Sequence, residues 1–145
     1  MEPAHTEKLI SLFRKNGFKV TTQRLAICKL IFSRKDHPST EEIYNLLKNE
    51  HPTISLATVY KTLHLLKELK VIQELNFDEG KIRYDPDMDL HVNLVCSNCG
   101  KINDYKSQKI NELWKQVTSD LDITPEGQRI DIYHECDDCK AKNQK

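Results

Sequence analysis

The sequence predicts a mixed α/β fold (α+β) made of two small domains, and three observations indicate it. Apolar residues recur with helical periodicity in three segments of the first 70 residues. Two alternating segments around a glycine-containing turn then predict a β-hairpin. After residue 90 come short strand-like segments, one amphipathic helix and two C-x-x-C pairs. We therefore expect an N-terminal domain at residues 1–84, a hinge at 85–90 and a C-terminal domain at 91–145.

Length and composition restrict the possible functions. A chain of 145 residues, 38% of them hydrophobic, can bury one or two small cores, which excludes a large catalytic barrel. No segment approaches the roughly 18 to 20 apolar residues of a membrane span, and the N-terminus lacks the apolar region of a secretion signal. We therefore expect a cytoplasmic protein that does not bind membranes.

The charge is unevenly distributed, although Lys plus Arg and Asp plus Glu number 22 each. Residues 1–83 carry 14 basic and 10 acidic side chains, whereas residues 84–145 carry 8 and 12. A basic N-terminal half is typical of a domain that binds a polyanion, although a solvated helix surface has the same composition.

Each predicted helix of the N-terminal domain begins at a capping residue. Thr21 or Thr22 caps the first helix, which runs through residue 33. Ser39 and Glu42 form a capping box at the second helix, and Ser55 caps the third. The residues expected on the apolar faces are Leu25, Cys28, Leu30, Ile31, Phe32, Ile43, Leu46, Leu47, Leu56, Val59, Leu63 and Leu66.

The predicted hairpin consists of the segments IQELNF and IRY around a turn at Asp78–Lys81. Three helices and a hairpin predict a winged helix, whose third helix fits a DNA major groove about 12 Å wide. Winged helices also bind proteins, so a protein-interaction module is the alternative. The candidate DNA-binding residues are Lys15, Lys19, Thr22, Gln23, Arg24, Ser55, Ala57, Thr58, Tyr60, Lys61 and His64.

Four paired cysteines predict a structural zinc site. They are Cys96, Cys99, Cys136 and Cys139, in two C-x-x-C pairs separated by 36 residues. Each pair can form a tight turn that directs two thiolates at one metal, and Gly100 permits the positive φ that such a turn uses. Redox dithiols or disulfides are the alternative, which a cytosolic location disfavours. Cys28 lies on an apolar helix face and is expected in the core.

The C-terminal domain is predicted to contain a helix capped by Ser107 and a strand in the segment RIDIYHEC. So small a domain favours stabilisation by zinc and by dimerisation. Intrachain packing is the alternative for Trp114, and a two-fold dimer would bind an inverted-repeat DNA site. The apolar stripe of the helix is Ile110, Leu113, Trp114, Val117 and Leu121.

The segments SLATVYKTL, GKIRYD, HVNLVCSNCG and YHECDDC resemble the ferric uptake regulator (Fur) family of metal-dependent bacterial repressors. The resemblance covers nearly the whole chain and is greatest to the peroxide-responsive branch. It implies a homodimer that binds double-stranded DNA at an AT-rich inverted repeat through N-terminal winged helices. It also implies a C-terminal dimerisation domain, one structural Zn(II) per subunit on the four cysteines, and one regulatory Fe(II) or Mn(II) between the domains.

The resemblance also implies a set of regulatory ligands. The family pattern His-x-His here reads His91-Val92-Asn93, so an amide oxygen stands where the family has an imidazole. Two imidazoles with oxygen donors suit Fe(II), Mn(II) or Zn(II). The implied ligands are His37, Asp85, His91, Asn93 and Asp104, and His5, His51, His64 and His134 are expected not to ligate.

Asp104 favours peroxide sensing, because iron regulators of this family more often have glutamate there. Ferrous iron held by imidazoles and carboxylates can reduce peroxide to a radical, and that radical oxidises the nearest imidazole, so His37 and His91 are the expected oxidation-sensitive residues. An iron- or zinc-responsive regulator is the alternative within the family, and a zinc-stapled protein-interaction module is the alternative from another class. The sequence has no H-E-x-x-H, G-x-S-x-G or phosphate-binding glycine loop, so we do not expect an enzyme.

Overall fold

The computed structural model describes residues 3–76 and 82–143, so the predicted turn at Asp78–Lys81 lies outside the described residues. The chain divides into two compact units, residues 1–88 and residues 89–145. None of the described helices is both long and apolar enough to cross a bilayer. The first unit contains α1 (Pro3–Lys15), α2 (Thr22–Ser33), α3 (Thr40–Leu47), α4 (Leu56–Glu68), β1 (Gln73–Asn76) and β2 (Ile82–Asp85).

Helix α1 is absent from the sequence prediction. Leu9 and Phe13, one helical turn apart, are buried in the core that α2, α3 and α4 also line. Only these two positions of α1 are fully buried among its described side chains, so its apolar periodicity is weak in the sequence. The first unit therefore packs a fourth helix in addition to the three that were predicted.

The three predicted helix caps are confirmed. Thr21, rather than Thr22, is the N-cap of α2, and its hydroxyl accepts a hydrogen bond from the Arg24 amide. Ser39 and Glu42 form the full capping box of α3. Ser55 caps α4 by accepting from the Thr58 amide, so α2, α3 and α4 each begin where a side chain satisfies an end N–H group.

The buried faces differ from the prediction at several positions. Leu46 and Leu56 were expected in the core but are 47% and 43% exposed. Leu56 is the first residue of α4, where the chain has not yet reached the packed face, and Leu46 lies on the outer side of α3. Ile27 is fully buried although it was not predicted to be, and Cys28 lies beside it in the core as expected.

The hairpin strands pair antiparallel, with Gln73 opposite Asp85. Strand β2 also contacts the segment before α3, because the Tyr84 amide donates to the Pro38 carbonyl at 3.2 Å. A bridge between Ser39 and Arg83 extends this pairing. The hairpin is therefore fixed to the N-terminus of α3, next to His37.

The second unit is a small sheet with helices. Strand β3 is central, antiparallel to β4 and parallel to β5, and α5 lies in the connection from β4 to β5. Its core is thin and includes Val92, Val95 and Ile102. The elements are β3 (Val92–Cys96), β4 (Ile102–Tyr105), α5 (Gln108–Asp120), β5 (Ile130–His134) and α6 (Asp137–Asn143).

Helix α5 has no buried residue. Leu113 and Leu121 are each 60% exposed, and Trp114 is only partly buried. The apolar stripe of α5 therefore does not form an ordinary intrachain core. Ser107 precedes the helix as predicted, but its side chain makes no capping hydrogen bond.

Candidate metal centres and nucleic-acid face

The four paired cysteines converge in the second unit. Their sulfur atoms all lie within 4.8 Å of one another. The Cys96 and Cys139 sulfurs are 3.9 Å apart, and those of Cys99 and Cys136 are 3.8 Å apart. Four sulfurs bound at 2.3 Å to a tetrahedral zinc would be about 3.8 Å apart, so the spacing fits that ion.

Two tight turns position these sulfurs. After β3, Gly100 has φ 69° and its amide donates to the Cys96 carbonyl at 2.9 Å. After β5, the amides of Cys139 and Lys140 both donate to the Cys136 carbonyl at 3.0 Å. Because β3 and β5 are parallel neighbours, both turns lie at the same end of the sheet, which brings the two pairs together.

Backbone amides stabilise the Cys96 thiolate. The Cys136 N–H donates to the Cys96 sulfur at 3.3 Å, and the Cys99 and Asn98 amides add to its effect. These hydrogen bonds lower the pKa of Cys96 to about 6. The thiolate, which is the form that binds zinc, is therefore favoured at neutral pH. Burial raises the pKa of the Cys28 thiol to about 12, in agreement with its position in the core of the first unit.

In the first unit, His37 and Asp85 form a buried pair. Both side chains are 1% exposed, and His37 Nε2 lies 3.7 Å from Asp85 Oδ1. His37 has φ 52°, a left-handed conformation that L-residues rarely adopt and that stores strain. Asp85 is the last residue of β2, and its Oδ1 accepts from the Asp87 amide at 2.7 Å.

Arg83 holds the backbone around this pair. Its guanidinium donates to the His37 carbonyl at 3.4 Å and to the Glu42 carboxylate at 2.6 Å. Glu42 in turn accepts from the Ser39 amide at 2.7 Å. Strand β2 is thus joined to the residues on both sides of Pro38, and this connection supports the unusual backbone of His37.

In the second unit, His91 and Asp104 form the corresponding pair. His91 Nε2 lies 3.9 Å from Asp104 Oδ1. His91 Nδ1 lies 2.7 Å from the Asp89 carbonyl, which can only accept, so Nδ1 carries the proton in the neutral ring. The lone pair is then on Nε2, the atom that faces Asp104, and this is the tautomer that a metal-binding histidine uses.

Asn93 lies on the same sheet face and is 2% exposed. Its register partners are Asp104 on β4 and Asp131 on β5. The amide nitrogen donates to Asp131 Oδ1 at 3.0 Å. Among the residues that the structure describes, the Asn93 side-chain oxygen is buried without a hydrogen-bond partner. Imidazole, carboxylate and amide oxygen on one face suit a borderline or hard divalent cation.

Most of the predicted DNA-binding side chains are exposed. On α4, Tyr60 and His64 stack with ring centroids 6.4 Å apart, and Lys61 is exposed beside them. Two candidates are engaged within the domain, because Gln23 donates to Thr53 and the Arg24 guanidinium donates to the Lys19 carbonyl. Thr58 is also partly buried. The exposed candidates are Lys15, Lys19, Thr22, Ser55, Ala57, Tyr60, Lys61 and His64.

The sequence analysis missed Arg83, Asp131 and Arg129. Arg83 contacts His37 through its backbone, and Arg129 forms an ion pair with Asp131 at 2.7 Å. The alternation of RIDIYHEC placed Asp131 on a strand, but the parallel pairing that sets it beside Asn93 has no local signal in the sequence.

The sequence of the chain is similar to those of known proteins. A model of the ferric uptake regulator family matches residues 15–133. The peroxide-responsive repressor PerR of Staphylococcus aureus is 34% identical over 138 residues, which cover 94% of this chain and 92% of that protein.

Solved structures show the same fold. The ferric uptake regulator of Pseudomonas aeruginosa with manganese superposes with a TM-score of 0.75 and 26% identity, over 88% of this chain and 96% of that one. PerR of Streptococcus pyogenes gives a TM-score of 0.54 and 30% identity over 92% of each chain. Because the family match covers most of its length and the 34% identity to PerR extends over 94% of it, the chain belongs to the ferric uptake regulator family.

Proposed function

We propose that the chain is a metal-dependent transcriptional repressor that senses hydrogen peroxide through oxidation of a ligand histidine. Family membership supports the coarser part, a metal-responsive regulator that binds DNA as a dimer. Peroxide sensing is the finer part, and the 34% identity to a peroxide-responsive repressor supports it. The observation that carries the metal dependence is the pair of His–carboxylate contacts, one in each unit, with both histidines buried.

The cofactors are a structural Zn(II) and a regulatory Fe(II) or Mn(II). Four thiolates leave no coordination position for water or substrate, so zinc at the cysteines stabilises the fold and does not catalyse. This agrees with the thin core of the second unit, which buries few apolar side chains.

The proposed ligands of the regulatory metal are His37, Asp85, His91, Asn93 and Asp104. The first two belong to the first unit and the other three to the second. Their donors suit ferrous iron or manganese better than soft thiophilic ions. Because ligands from both units are required, DNA binding by the first unit depends on metal occupancy.

The DNA-binding surface is proposed to be the exposed face of α4 with the basic residues before it. Lys61 and His64 are exposed there, and Ala57 is small enough to let the helix approach a duplex closely. A homodimer would place two such helices on the half-sites of an AT-rich inverted repeat. The exposed apolar stripe of α5, with Ile132 and Tyr133 on β5, is the proposed dimer surface.

For peroxide sensing, iron supplies the reduction of hydrogen peroxide when it is bound. The residues of the chain determine what is oxidised, because His37 and His91 are the imidazoles among the proposed ligands. A carboxylate is resistant to this oxidation, whereas an imidazole ring can gain an oxygen atom. The oxidised ring would then no longer bind the metal through its nitrogen. Loss of a ligand would release the metal and then the DNA.

An electrophoretic mobility shift on an AT-rich inverted repeat tests the metal dependence. Binding should require Mn(II) or Fe(II), should be abolished by a chelator that spares the four-cysteine zinc, and should be lost in His37→Ala. DNA binding that is equally tight without added metal would contradict the proposal and favour a protein-interaction role or a different effector. Binding that responds to Zn(II) but not to Mn(II) would indicate the zinc-responsive alternative.

A further inference from the structure

Asn93 is held in one orientation by its neighbours on β5. Arg129 contacts the Asp131 carboxylate with two nitrogens, Nε at 3.0 Å and a terminal nitrogen at 2.7 Å. The carboxylate can only accept, so the group that Asn93 directs at it must be the NH₂. A flipped amide would bring two oxygens to about 3 Å and would lose this hydrogen bond. The Asn93 oxygen is therefore fixed on the side away from Asp131.

The Asn93 side-chain oxygen destabilises the fold unless a hydrogen-bond donor or a cation binds it. Asn93 is 2% exposed, and within residues 3–76 and 82–143 its oxygen accepts no hydrogen bond. A buried acceptor without a hydrogen-bond partner destabilises a fold. Its neighbours on the same sheet face are the ring of His91, two residues earlier, and the Asp104 carboxylate on β4. The His91 Nε2 lone pair, the Asp104 carboxylate and the Asn93 oxygen are all electron-pair donors. They can bind a cation together, but they cannot form hydrogen bonds with one another.

We propose that Asp131 and Arg129 orient Asn93 as an oxygen donor, and that this donor shifts the regulatory site from Zn(II) toward Mn(II) and Fe(II). This inference rests on the proposed function, because it assigns the selectivity of the same metal. Imidazole nitrogen favours Zn(II) strongly, whereas neutral and anionic oxygen donors suit Mn(II). Asn93 supplies an oxygen where the family has an imidazole nitrogen, which reduces the affinity of the site for Zn(II) relative to Mn(II) and Fe(II). Asp131 is a positioning residue, since it acts on the metal only through Asn93.

The test is a metal-affinity measurement on the full chain with zinc already bound at the four cysteines. Free Mn(II) is followed by electron paramagnetic resonance, and Zn(II) is titrated against a chelator of known affinity. Asn93→His should raise the ratio of Zn(II) to Mn(II) affinity about tenfold or more, since imidazole replaces the oxygen. Asn103→His, at an exposed asparagine on β4, is the matched control and should leave the ratio unchanged.

Asp131→Asn tests the orientation. The new side chain can donate to the Asn93 oxygen, which would turn that oxygen away from the metal. Mn(II) affinity should fall about 10-fold to 100-fold, as for other substitutions of groups that orient ligands. Asn93→Ala should lower Mn(II) affinity by a similar factor. If the zinc content of Asn93→His shows that this variant does not fold, Asn93→Ala still tests whether Asn93 is a donor.

The outcomes separate this inference from the proposed function. If the wild-type chain binds Mn(II), His37→Ala abolishes that binding and the Asn93 variants keep the wild-type ratio and affinity, Asn93 is not a donor and this inference alone fails. If Asp131→Asn binds Mn(II) as tightly as wild type, the orienting role is wrong. If the wild-type chain does not bind Mn(II) or Fe(II) at all, both the proposed function and this inference are overturned.

Discussion

Cys96 gives the first prediction at the scale of a residue. Its sulfur lies 3.9 Å from that of Cys139 and accepts a hydrogen bond from the Cys136 amide. Replacing Cys96 or Cys136 by Ser should remove zinc and dissociate the dimer together, because the binding free energy of a structural zinc is largely folding free energy. Metal analysis by mass spectrometry and analytical ultracentrifugation measure the two effects.

Cys28→Ala is the matched control for these variants. Its thiol is fully buried in the first unit, so the substitution should lower stability modestly and leave the zinc content unchanged. A stable, zinc-free dimer of Cys96→Ser that still binds DNA would contradict the structural role of the metal.

Lys61 offers a second prediction at the scale of a residue. It is exposed on α4, and a phosphate contact through its ammonium would release a counterion on DNA binding. Lys61→Ala should weaken operator binding and reduce the slope of log K against log salt by about one. Fluorescence anisotropy at several salt concentrations measures the slope. Lys67→Ala is the control, since Lys67 is on the same helix but forms an ion pair with Glu74. An unchanged slope for Lys61→Ala would remove this residue from the DNA interface.

At the scale of an element, the N-terminus of α3 gives a pH-dependent prediction. Burial raises the pKa of Glu42, but the hydrogen bond from the Ser39 amide and the charge of Arg83 together lower it by more. The pKa of Glu42 therefore lies below its ordinary value of 4.5. A carboxyl whose pKa is lower in the native state stabilises the fold when the pH is above its pKa in the unfolded state. This contribution is lost as the pH falls through the native pKa. Glu42→Gln removes the charge and should remove the contribution.

The effect is small because the Glu42 side chain is half exposed. At neutral pH the variant should lose less than about 1 kcal/mol of unfolding free energy, and the difference should vanish in more acidic solution. Urea unfolding at a series of pH values measures it. In an Arg83→Ala background, Glu42→Gln should have a smaller effect. A difference that is constant from neutral to acidic pH would show that charge is not responsible.

Helix α5 gives the next prediction. Leu113 and Leu121 are exposed in the isolated chain, and a dimer would bury them. Leu113→Glu with Leu121→Glu should raise the dimer dissociation constant about tenfold or more, because each leucine contributes roughly 1.5 to 3 kcal/mol on burial. Gln116→Glu, on the same helix, is the control, and sedimentation velocity distinguishes the species. A double variant as dimeric as wild type would place the interface elsewhere.

Local signals predicted the elements well and their packing less well. The caps at Ser39 and Ser55 were readable because a helix end needs a nearby side-chain acceptor. Helix α1 was missed because only Leu9 and Phe13 mark its buried face. Leu46 and Leu56 were assigned to the core because apolar character alone does not show whether a position reaches it.

The two candidate metal centres also differ in how far local sequence signals predict them. The four cysteines were predictable because their spacing itself encodes two turns and four sulfurs. The regulatory residues came from family resemblance, since a single histidine such as His37 has no local pattern. The positions of Asp131 and Arg83 depend on long-range pairing, between β3 and β5 and between β2 and the segment before α3, for which the sequence has no local signal.

At the scale of the whole molecule, the candidate functional residues are divided between the basic first unit and the acidic second unit. The first carries the exposed α4 face and one His–carboxylate pair, and the second carries the zinc cysteines and the other pair. In the function that we propose, the regulatory metal connects metal occupancy to DNA affinity. The size of that connection is limited by the difference in metal affinity between the DNA-binding and non-binding states.

Peptide mass spectrometry after peroxide treatment of the DNA-bound protein tests the central claim most directly. With Fe(II), peroxide should add one oxygen atom to His37 or His91 and release the DNA, whereas the Mn(II) form should stay bound and unmodified. The four cysteines should remain on zinc at low peroxide, because thiolates in a closed site react slowly. Oxidation of the cysteines before DNA release, with both histidines unmodified, would contradict histidine-based sensing and favour a thiol switch.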